Sequence, residues 1–349
     1  NVSNLSAQLS GSYTIGTGGD YTTINSAVTA LSSSGVSAPV TFNILSGLYT
    51  ERVVIPEISG ASATNTITIQ SQAMSADSVT WAGSNQNWSS NYILRFSGAD
   101  HIIAKHLTFQ GPVAYYNRKI DLTGVVDSVT VDSCNFRNTS NYAAGIGEAV
   151  YSSTSASVTG FHMTNCDIQY GQGISMSSNP DMSDVQFINN TISHVTTGIY
   201  LNELQDSLNV IRGNRLTNML SYGIQVQSNF GKIIVEDNHI YAPDVSYGIY
   251  ISSGAGSAAH RSKVINNLIT AEDYGIYLYN LNYYDIYHNT VNVRDSYALH
   301  HSGNGTYLRL KNNIFSTEAN QVVIYFQYNV TGLTSDYNNL YTTYTYPVY

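Results

Sequence analysis

Charge is scarce in this sequence. Asp, Glu, Lys and Arg make up 11% of the residues, against about 25% in an average soluble protein. The 14 Lys and Arg residues are scattered along the chain, and the formal net charge is −9. A nucleic-acid-binding surface needs a basic stripe that displaces counterions. The composition therefore argues against a nucleic-acid partner.

Cysteine and long apolar runs are rare as well. The only cysteines, Cys134 and Cys166, are too few for a disulfide scaffold and wrongly spaced for a zinc site, so we expect buried free thiols. The sequence contains no run of about 18 apolar residues, which a membrane span requires. It begins NVSNLSAQ, without Met or a signal sequence. We interpret it as part of a larger exported protein.

Ser, Thr, Asn, Gly and Tyr supply the polarity that charged residues usually provide. A surface of hydroxyl and amide groups is typical of secreted β proteins, so we expect a secreted or cell-surface location. Hydrophobic residues make up 42% of the chain, which is enough for a large core.

An internal repeat organises most of the sequence. Each unit has a short apolar strand, an Asn or Cys, an apolar residue two positions later, a polar gap, and a second strand that opens with Gly-Ile. The Asn or Cys recurs every 22 to 32 residues, and Leu107 holds the same place upstream. The predicted positions are Cys134, Cys166, Asn190, Asn214, Asn238, Asn267, Asn289, Asn312 and Asn338.

The repeat predicts an all-β solenoid. Its apolar residues alternate with a period of two, which indicates strands, and a period of 20 to 50 residues indicates stacked coils. We predict a single-stranded right-handed parallel β-helix of roughly a dozen coils, with the Asn side chains stacked into a ladder. The predicted single domain has an N-terminal strand and cap at 1–38, coils at 39–340 and a tail at 341–349.

One segment breaks the strand pattern. DYTTINSAVTALSSSG carries apolar residues at helical spacing, which predicts a short α-helix across the open end of the solenoid. Asp20 or Thr22 is the expected N-cap, and Gly35 lies beyond the end. The spaced apolar residues are Ile24, Ala27, Val28 and Leu31.

Two opening segments, together with the later coils, carry a resemblance to known proteins. The segments are YTIGTGGDYTTINSAVTAL and VTFNILSGLYTERVVI. They resemble the pectin-lyase-like right-handed parallel β-helix superfamily, especially large secreted bacterial surface proteins. The resemblance covers nearly the whole chain and implies the fold. It does not imply one activity, since the superfamily includes polysaccharide lyases, glycoside hydrolases, esterases, epimerases, phage tailspikes and non-catalytic adhesins. The catalytic signatures of its hydrolases, esterases and epimerases are not matched.

The residue between the two inward aliphatic residues of G-I-Y-L should point outward, so it forms one external column over successive coils: Ser175, Tyr200, Gln225, Tyr250, Tyr277, His300 and Tyr325. Exposed aromatic rings in a row can stack against the faces of sugar rings. The predicted sugar-binding residues are Tyr200, Tyr250, Tyr277, His300 and Tyr325. The alternative is that these rings only stabilise the sheet. A second Tyr column, just before the Gly residues, is expected to pack inward or at the bend.

Two other groups of residues are candidate sites. Asp181 and Asp184 lie in a turn one coil below Glu203 and Asp206, and such carboxylates could form an acid and base pair for glycoside hydrolysis. They could equally bind calcium or be ordinary solvated turn residues. No other cofactor is expected.

Arg118 and Lys119 are the only adjacent Arg-Lys pair, beside Tyr115 and Tyr116. They could hold an acidic sugar or provide the base of a lyase.

Two functions follow from these observations. The favoured one is a secreted or cell-surface module that binds a polysaccharide or cell-surface glycan, or acts as an adhesin, without catalysis. The alternative is a divergent polysaccharide lyase or glycoside hydrolase that acts on an extracellular polysaccharide.

Overall fold

A computed structural model describes residues 7–83, 87, 90–111, 118–138, 147–177, 181–205, 207–244 and 247–349. One α-helix, Ile24–Ser34, and one 3-10 helix, Ala76–Ser78, accompany the strands in these ranges. Among the described residues, no helix is long and apolar enough to cross a membrane.

The chain winds through three sheets in turn, and each strand pairs in parallel with its equivalents in the neighbouring coils. The first sheet contains Leu9–Ile15, Val36–Ile44, Ile67–Ser71, Ile102–Lys105, Val125–Asp132, Ser157–Thr164, Met182–Ser183, Gln186–Ile188, Leu208–Arg212, Lys232–Glu236, Ser262–Ile265, Tyr284–Tyr287, Arg309–Lys311 and Thr334–Asp336. The second sheet contains Gly47–Thr50, Val79–Ala82, Thr108–Gly111, Asn135–Asn138, Asp167–Gly171, Thr191–Val195, Arg215–Thr217, His239–Ala242, Leu268–Ala271, Thr290–Val293, Ile314–Thr317 and Asn339–Tyr341. The third sheet contains Val53–Pro56, Leu94–Ser97, Ile120–Thr123, Glu148–Ser152, Gly173–Ser177, Thr197–Asn202, Tyr222–Gln227, Tyr247–Ala255, Tyr274–Asn282, Tyr297–Ser302, Gly305–Thr306, Ile324–Phe326 and Val330–Thr331. The predicted all-β parallel β-helix is confirmed.

The interior is filled by columns of like side chains. Parallel pairing in register places identical positions one coil apart, about 4.8 Å along the axis. Trp81, Phe109 and Phe136 stack in this way, with ring centroids 5.5 and 5.3 Å apart. All three rings are buried. This alternation of buried and outward residues decides which side chains reach the surface of each sheet.

The predicted Asn ladder is present at the turn between the first and second sheets. Asn238 is typical: its side-chain nitrogen donates to the Ile211 carbonyl at 2.9 Å and to Asn267 Oδ1 at 3.0 Å. Its Oδ1 accepts from the main-chain and side-chain nitrogens of Asn214. Every buried amide in the ladder is thereby satisfied, as burial of a polar group requires.

One position of the predicted ladder is wrong. The ladder residue is Asn313, which is buried and bonds to Asn289 and Asn338, whereas Asn312 is exposed. Asn312 instead occupies the preceding left-handed turn position with φ 57°. Asn tolerates that conformation better than most residues, so Asn is common both at this turn position and at the ladder position that follows it. An Asn-Asn pair in the sequence therefore does not indicate which Asn is buried.

The helix closes the N-terminal end as predicted, and Gly35 follows its last residue. The N-cap is Thr23, so both expected caps were wrong. Thr23 Oγ1 accepts from the Ser26 main-chain nitrogen at 3.0 Å, and Ser26 Oγ accepts from Thr23 N in return. The carboxylate of Glu51, from the first coil, accepts two further N–H groups at the helix start.

At the opposite end, residues 347–349 run beside the strand Ile324–Phe326 and bond to its main chain. The tail therefore extends the third sheet. The cysteines are free, buried and stacked in neighbouring coils, with Cys134 N donating to Cys166 Sγ at 3.4 Å. The expectation of buried free thiols is confirmed.

Candidate functional site

The predicted outward column lies on the third sheet. Strand pairing places Ser175, Tyr200 and Gln225 side by side, followed by Tyr250, Tyr277, His300 and Tyr325. The Tyr rings of this column are partly exposed. The sequence prediction of one shared column is therefore confirmed, whereas its ligand remains a prediction.

The second Tyr column lies at the bend where the third sheet begins, and it shares the outer surface. Tyr222, Tyr247 and Tyr274 stack with centroids 4.9 Å apart and ring planes within 15° of parallel. Tyr297 continues the column at 6.1 Å. All four rings are partly exposed, so the bend interpretation is the correct one.

The two columns form one surface, which we call the aromatic face: Tyr222, Tyr247, Tyr250, Tyr274, Tyr277, Tyr297, His300 and Tyr325. Tyr250 and Tyr277 stack at 5.2 Å, and Tyr247 contacts both edge-on at 5.5 Å. Offset-stacked and edge-to-face rings are the favourable geometries for aromatic pairs. Neighbouring rings thus hold each ring on several sides and limit its rotamers. Ligand binding would therefore cost less side-chain conformational entropy.

Glycine makes this close packing of the bend possible. A Cβ on Gly248 would lie 2.5 Å from Ile269 Cγ2 and 2.7 Å from the Gly275 carbonyl oxygen. A larger residue would push the coils apart at the point where the two Tyr columns meet.

The chemistry of the aromatic face is that of neutral hydroxyl groups. Burial raises the pKa of Tyr247 to about 12, and neighbouring Tyr hydroxyls add to the shift. Burial also raises the pKa of Tyr250 and Tyr274. These phenols therefore stay protonated at neutral pH, and each can donate and accept a hydrogen bond.

His300 is in the predicted column but is covered by its neighbours. It is 8% exposed, with Tyr277, Tyr297 and Tyr325 at 4.6 to 5.3 Å. Burial lowers the pKa of His300 to about 4, so its ring is neutral at pH 7. It supports the surrounding Tyr rings and presents little surface of its own.

The same outward column continues towards the N-terminus with Tyr151 and then two charged residues, Asp121 and Arg95. Arg95 Nε lies 2.6 Å from Asp121 Oδ2. The aromatic face and this charged zone therefore belong to one continuous strip of the third sheet.

Arg118, one of the predicted site residues, connects the charged zone. Its guanidinium lies 3.4 Å from Glu148 Oε2 and 3.7 Å from Asp121 Oδ1. The guanidinium carbon sits 3.2 Å from the centroid of the Tyr151 ring. We call Arg95, Arg118, Asp121, Glu148 and Tyr151 the ionic cluster.

Burial shifts the titration of the ionic cluster. It raises the pKa of Asp121 and Glu148, while Arg95 and Arg118 oppose the shift. The two carboxylates are 1% and 6% exposed. Perturbed carboxylates beside a charge partner are characteristic of functional sites, although structural ion pairs produce the same effect.

Lys119, the other predicted residue, is 1% exposed. Its Nζ donates to Asn138 Oδ1 at 2.6 Å and to the Gly147 carbonyl at 3.3 Å. Burial lowers the pKa of Lys119 to about 7, and Glu148 partly counteracts this. Lys119 therefore lies beneath the ionic cluster and not on its surface. Tyr115 and Tyr116 lie outside the described residues.

The three strands of the ionic cluster lie in the early coils. Sequence reasoning did not find Arg95, Asp121 and Glu148 because these early coils lack the Gly-Ile signature. The triplets LRF, around Arg95, and IDL, around Asp121, could have indicated the first two, because each places a charged residue between two inward residues.

The predicted acidic group lies only partly within the described residues. Asp184 pairs with His162 at 3.5 Å and accepts from Gln186. Glu203 occupies a left-handed turn position, and Asp206 lies outside the described residues. Among the residues that the structure describes, no three His, Cys, Asp or Glu side chains form a group that could hold a metal ion. The acid and base pair and the calcium site among Asp181, Asp184, Glu203 and Asp206 stay predictions.

Comparison with known proteins agrees with the fold. The sequence model of the family described as right handed beta helix region matches residues 118–291 and 183–342. No curated protein sequence matches significantly.

Solved structures with a similar fold include the Dettilon tailspike protein, with 12% identity and a TM-score of 0.56 over 91% of this chain and 65% of that one. This chain therefore spans slightly less than two thirds of the tailspike. A lacto-N-biosidase from Eubacterium ramulus is 8% identical, with a TM-score of 0.48 over 94% of this chain and 67% of the other. The tailspike of E. coli bacteriophage HK620, in complex with a pentasaccharide, is 15% identical, with a TM-score of 0.44 over 94% and 58%.

At these identities the solved structures share the fold alone. The family match, by contrast, spans more than half of the chain and coincides with the coils. The chain therefore belongs to the right-handed beta helix family.

Proposed function

We propose that this chain binds carbohydrate, with sugar rings packed against the aromatic face. The observation that carries the proposal is the pair of Tyr columns, whose partly exposed rings stack at 4.9 to 5.2 Å over successive coils. A sugar ring has an apolar C–H face and a rim of hydroxyls. Tyr matches it with an apolar ring and a polar hydroxyl.

The charge distribution supports a carbohydrate over other extended ligands. The formal net charge is −9, and the aromatic face consists of neutral phenols and one neutral imidazole. A polyanion such as nucleic acid would meet no compensating charge there. A polysaccharide that runs along the strip would be contacted at each coil, about every 4.8 Å.

We further propose that the chain acts at the outside of a cell, as a secreted or surface-exposed glycan-binding or adhesive module of a larger exported protein. The support is its low content of charge and its hydroxyl-rich composition.

A glycan array followed by titration calorimetry tests the binding proposal. Tyr250→Ala and Tyr277→Ala should each weaken binding about tenfold, because each removes one stacking platform worth roughly 1 to 2 kcal/mol. Tyr241→Ala is the matched control, since Tyr241 is 48% exposed and lies on the second sheet. Equal effects of Tyr250→Ala and Tyr241→Ala would show that the rings only stabilise the sheet.

The ionic cluster favours a second candidate, glycoside hydrolysis. Two carboxylates with raised pKa flank one guanidinium on the same strip. In such a site Glu148 would protonate the glycosidic oxygen and Asp121 would serve as the second carboxylate. A lyase is less well supported, because its candidate base, Lys119, is buried.

Incubation with the polysaccharides that bind, followed by a reducing-sugar assay, tests this candidate. Glu148→Gln should abolish product release while glycan binding at the aromatic face persists. Glu318→Gln, an exposed carboxylate elsewhere, is the control, and circular dichroism establishes that each variant folds. Product release that survives Glu148→Gln would remove the ionic cluster as the catalytic site.

A further inference from the structure

A separate cavity of about 340 Å³ lies where the aromatic face meets the C-terminal segment. Seven residues line it: Tyr297, Asn320, Gln321, Val322, Tyr325, Tyr344 and Tyr349. Its volume is within the range of small-molecule sites, about 300 to 1,000 Å³.

The second Tyr column ends at this cavity. Pairing of Leu299 with Ile324 places Val322 in the coil position next to Tyr297, where the preceding coils have Tyr. Val322 is 8% exposed and contributes an apolar side chain to the lining.

The walls of the cavity are aromatic and held in place. Tyr297 stacks on Tyr325 at 5.0 Å, and Tyr325 stacks on Tyr349 at 5.2 Å, with ring planes within 16° of parallel. The main chain of Tyr349 is fixed by hydrogen bonds to Ile324 and Phe326, at 3.0 and 2.8 Å. The wall is therefore formed before any ligand arrives.

The polar groups of the cavity are amides and hydroxyls. Asn320 and Gln321 each offer an amide that can donate and accept, and the Tyr hydroxyls add further partners. None of the lining side chains carries a charge. An acidic sugar would lose hydration there without gaining a counter-charge.

We propose that this cavity is a subsite for a single uncharged sugar ring at one end of the aromatic face. The inference rests on the proposed carbohydrate-binding function and adds to it a terminal position and a preference for neutral sugars. It predicts that small neutral glycosides bind without the rest of a polysaccharide.

Ligand-detected NMR titration of the full chain tests the subsite. The probes are the methyl glycosides of glucose, galactose and N-acetylglucosamine, with glucuronate as the acidic counterpart. At least one neutral glycoside should bind with a dissociation constant on the order of millimolar, as expected for a ligand of this size. Glucuronate should bind at least tenfold more weakly.

Val322→Tyr adds an aromatic ring to the cavity lining and should weaken binding of the neutral glycoside at least tenfold. Gln321→Ala should weaken binding of the neutral glycoside several-fold by removing an amide, without filling the cavity. The test of the subsite therefore does not depend on one variant. Tyr241→Ala, on the second sheet, should leave monosaccharide binding unchanged. Thermal unfolding establishes that each variant folds.

Other outcomes separate this inference from the proposed function. If no monosaccharide binds, or if Val322→Tyr has no effect, while oligosaccharide binding still depends on Tyr250, the subsite is refuted and the aromatic face stands. Tighter binding of glucuronate than of every neutral glycoside refutes the neutral preference. If neither cavity variants nor Tyr250→Ala affect any glycan, both proposals fail.

Discussion

Removal of one amide from the Asn ladder should destabilise the chain by an amount that depends on its ladder neighbours. The side-chain amide of Asn238 takes part in four hydrogen bonds with Asn214, Ile211 and Asn267. The side-chain amide of Asn190 takes part in three, because its ladder neighbour in the preceding coil is Cys166, which has no side-chain amide to donate. The two positions are otherwise equally buried, at 1% exposure.

The magnitudes follow from the groups that lose their partner. Asn238→Ala leaves the main-chain N–H of Asn214, one of its side-chain N–H groups and the Ile211 carbonyl without the amide. At about 1 to 2 kcal/mol for each buried group, the free energy of unfolding should fall by about 3 to 6 kcal/mol. Asn190→Ala affects only the Cys166 N–H and the Met163 carbonyl, so its expected cost is about 2 to 4 kcal/mol.

Urea unfolding followed by circular dichroism measures both variants against the unmodified chain. Asn304→Ala is the matched control, because Asn304 is exposed, outside the ladder and not in a left-handed conformation, and its midpoint should change little. If Asn190→Ala costs as much as Asn238→Ala, or if Asn304→Ala costs as much as either, the ladder does not stabilise the coils through the bonds described.

Three further predictions concern buried titratable groups and the cap. Because the pKa of Lys119 in the folded chain is about 7, the unfolded chain holds an extra proton between about pH 7 and 10. The free energy of unfolding should therefore rise by roughly 4 kcal/mol over that window. In urea unfolding at stepped pH, Lys119→Met should remove this rise, and an unchanged slope of stability against pH would contradict the prediction. Burial and His300 lower the pKa of His301 to about 4. As the pH falls from about 6.5 to 4, the free energy of unfolding should therefore decrease by about 3 kcal/mol. His301→Leu should reduce this loss of stability between pH 7 and pH 4, and an equal loss in both proteins would argue against the prediction. Thr23→Ala should lower the free energy of unfolding by about 1 kcal/mol through loss of the cap, whereas Thr29→Ala, exposed on the same helix, should change it by less than about 0.5 kcal/mol.

The coil architecture could be predicted from sequence because stacking repeats the same requirement in every coil. Asn190, Asn214 and Asn238 recur 24 residues apart, since a buried amide at this turn is satisfied by another amide one coil away together with main-chain groups. The same regularity gave the outward position of Tyr200, Tyr250 and Tyr277.

The composition of the strip could be predicted only in part. Strict alternation suggested that Tyr222 and Tyr247 could face inward, but the chain bends at the following Gly and their rings remain outside. The ionic cluster depends on contacts between coils 26 or more residues apart, and no local pattern around Glu148 indicates its partner. Only Arg95, Asp121 and Tyr151 share the outward strand position between two buried residues.

A crystal structure with a bound oligosaccharide, chosen from the glycan array, tests the central claim most directly. We expect sugar rings stacked against Tyr250 and Tyr277 and running along the third sheet. A glycan bound to the first or second sheet, or to a loop without ring contacts on the aromatic face, would contradict it.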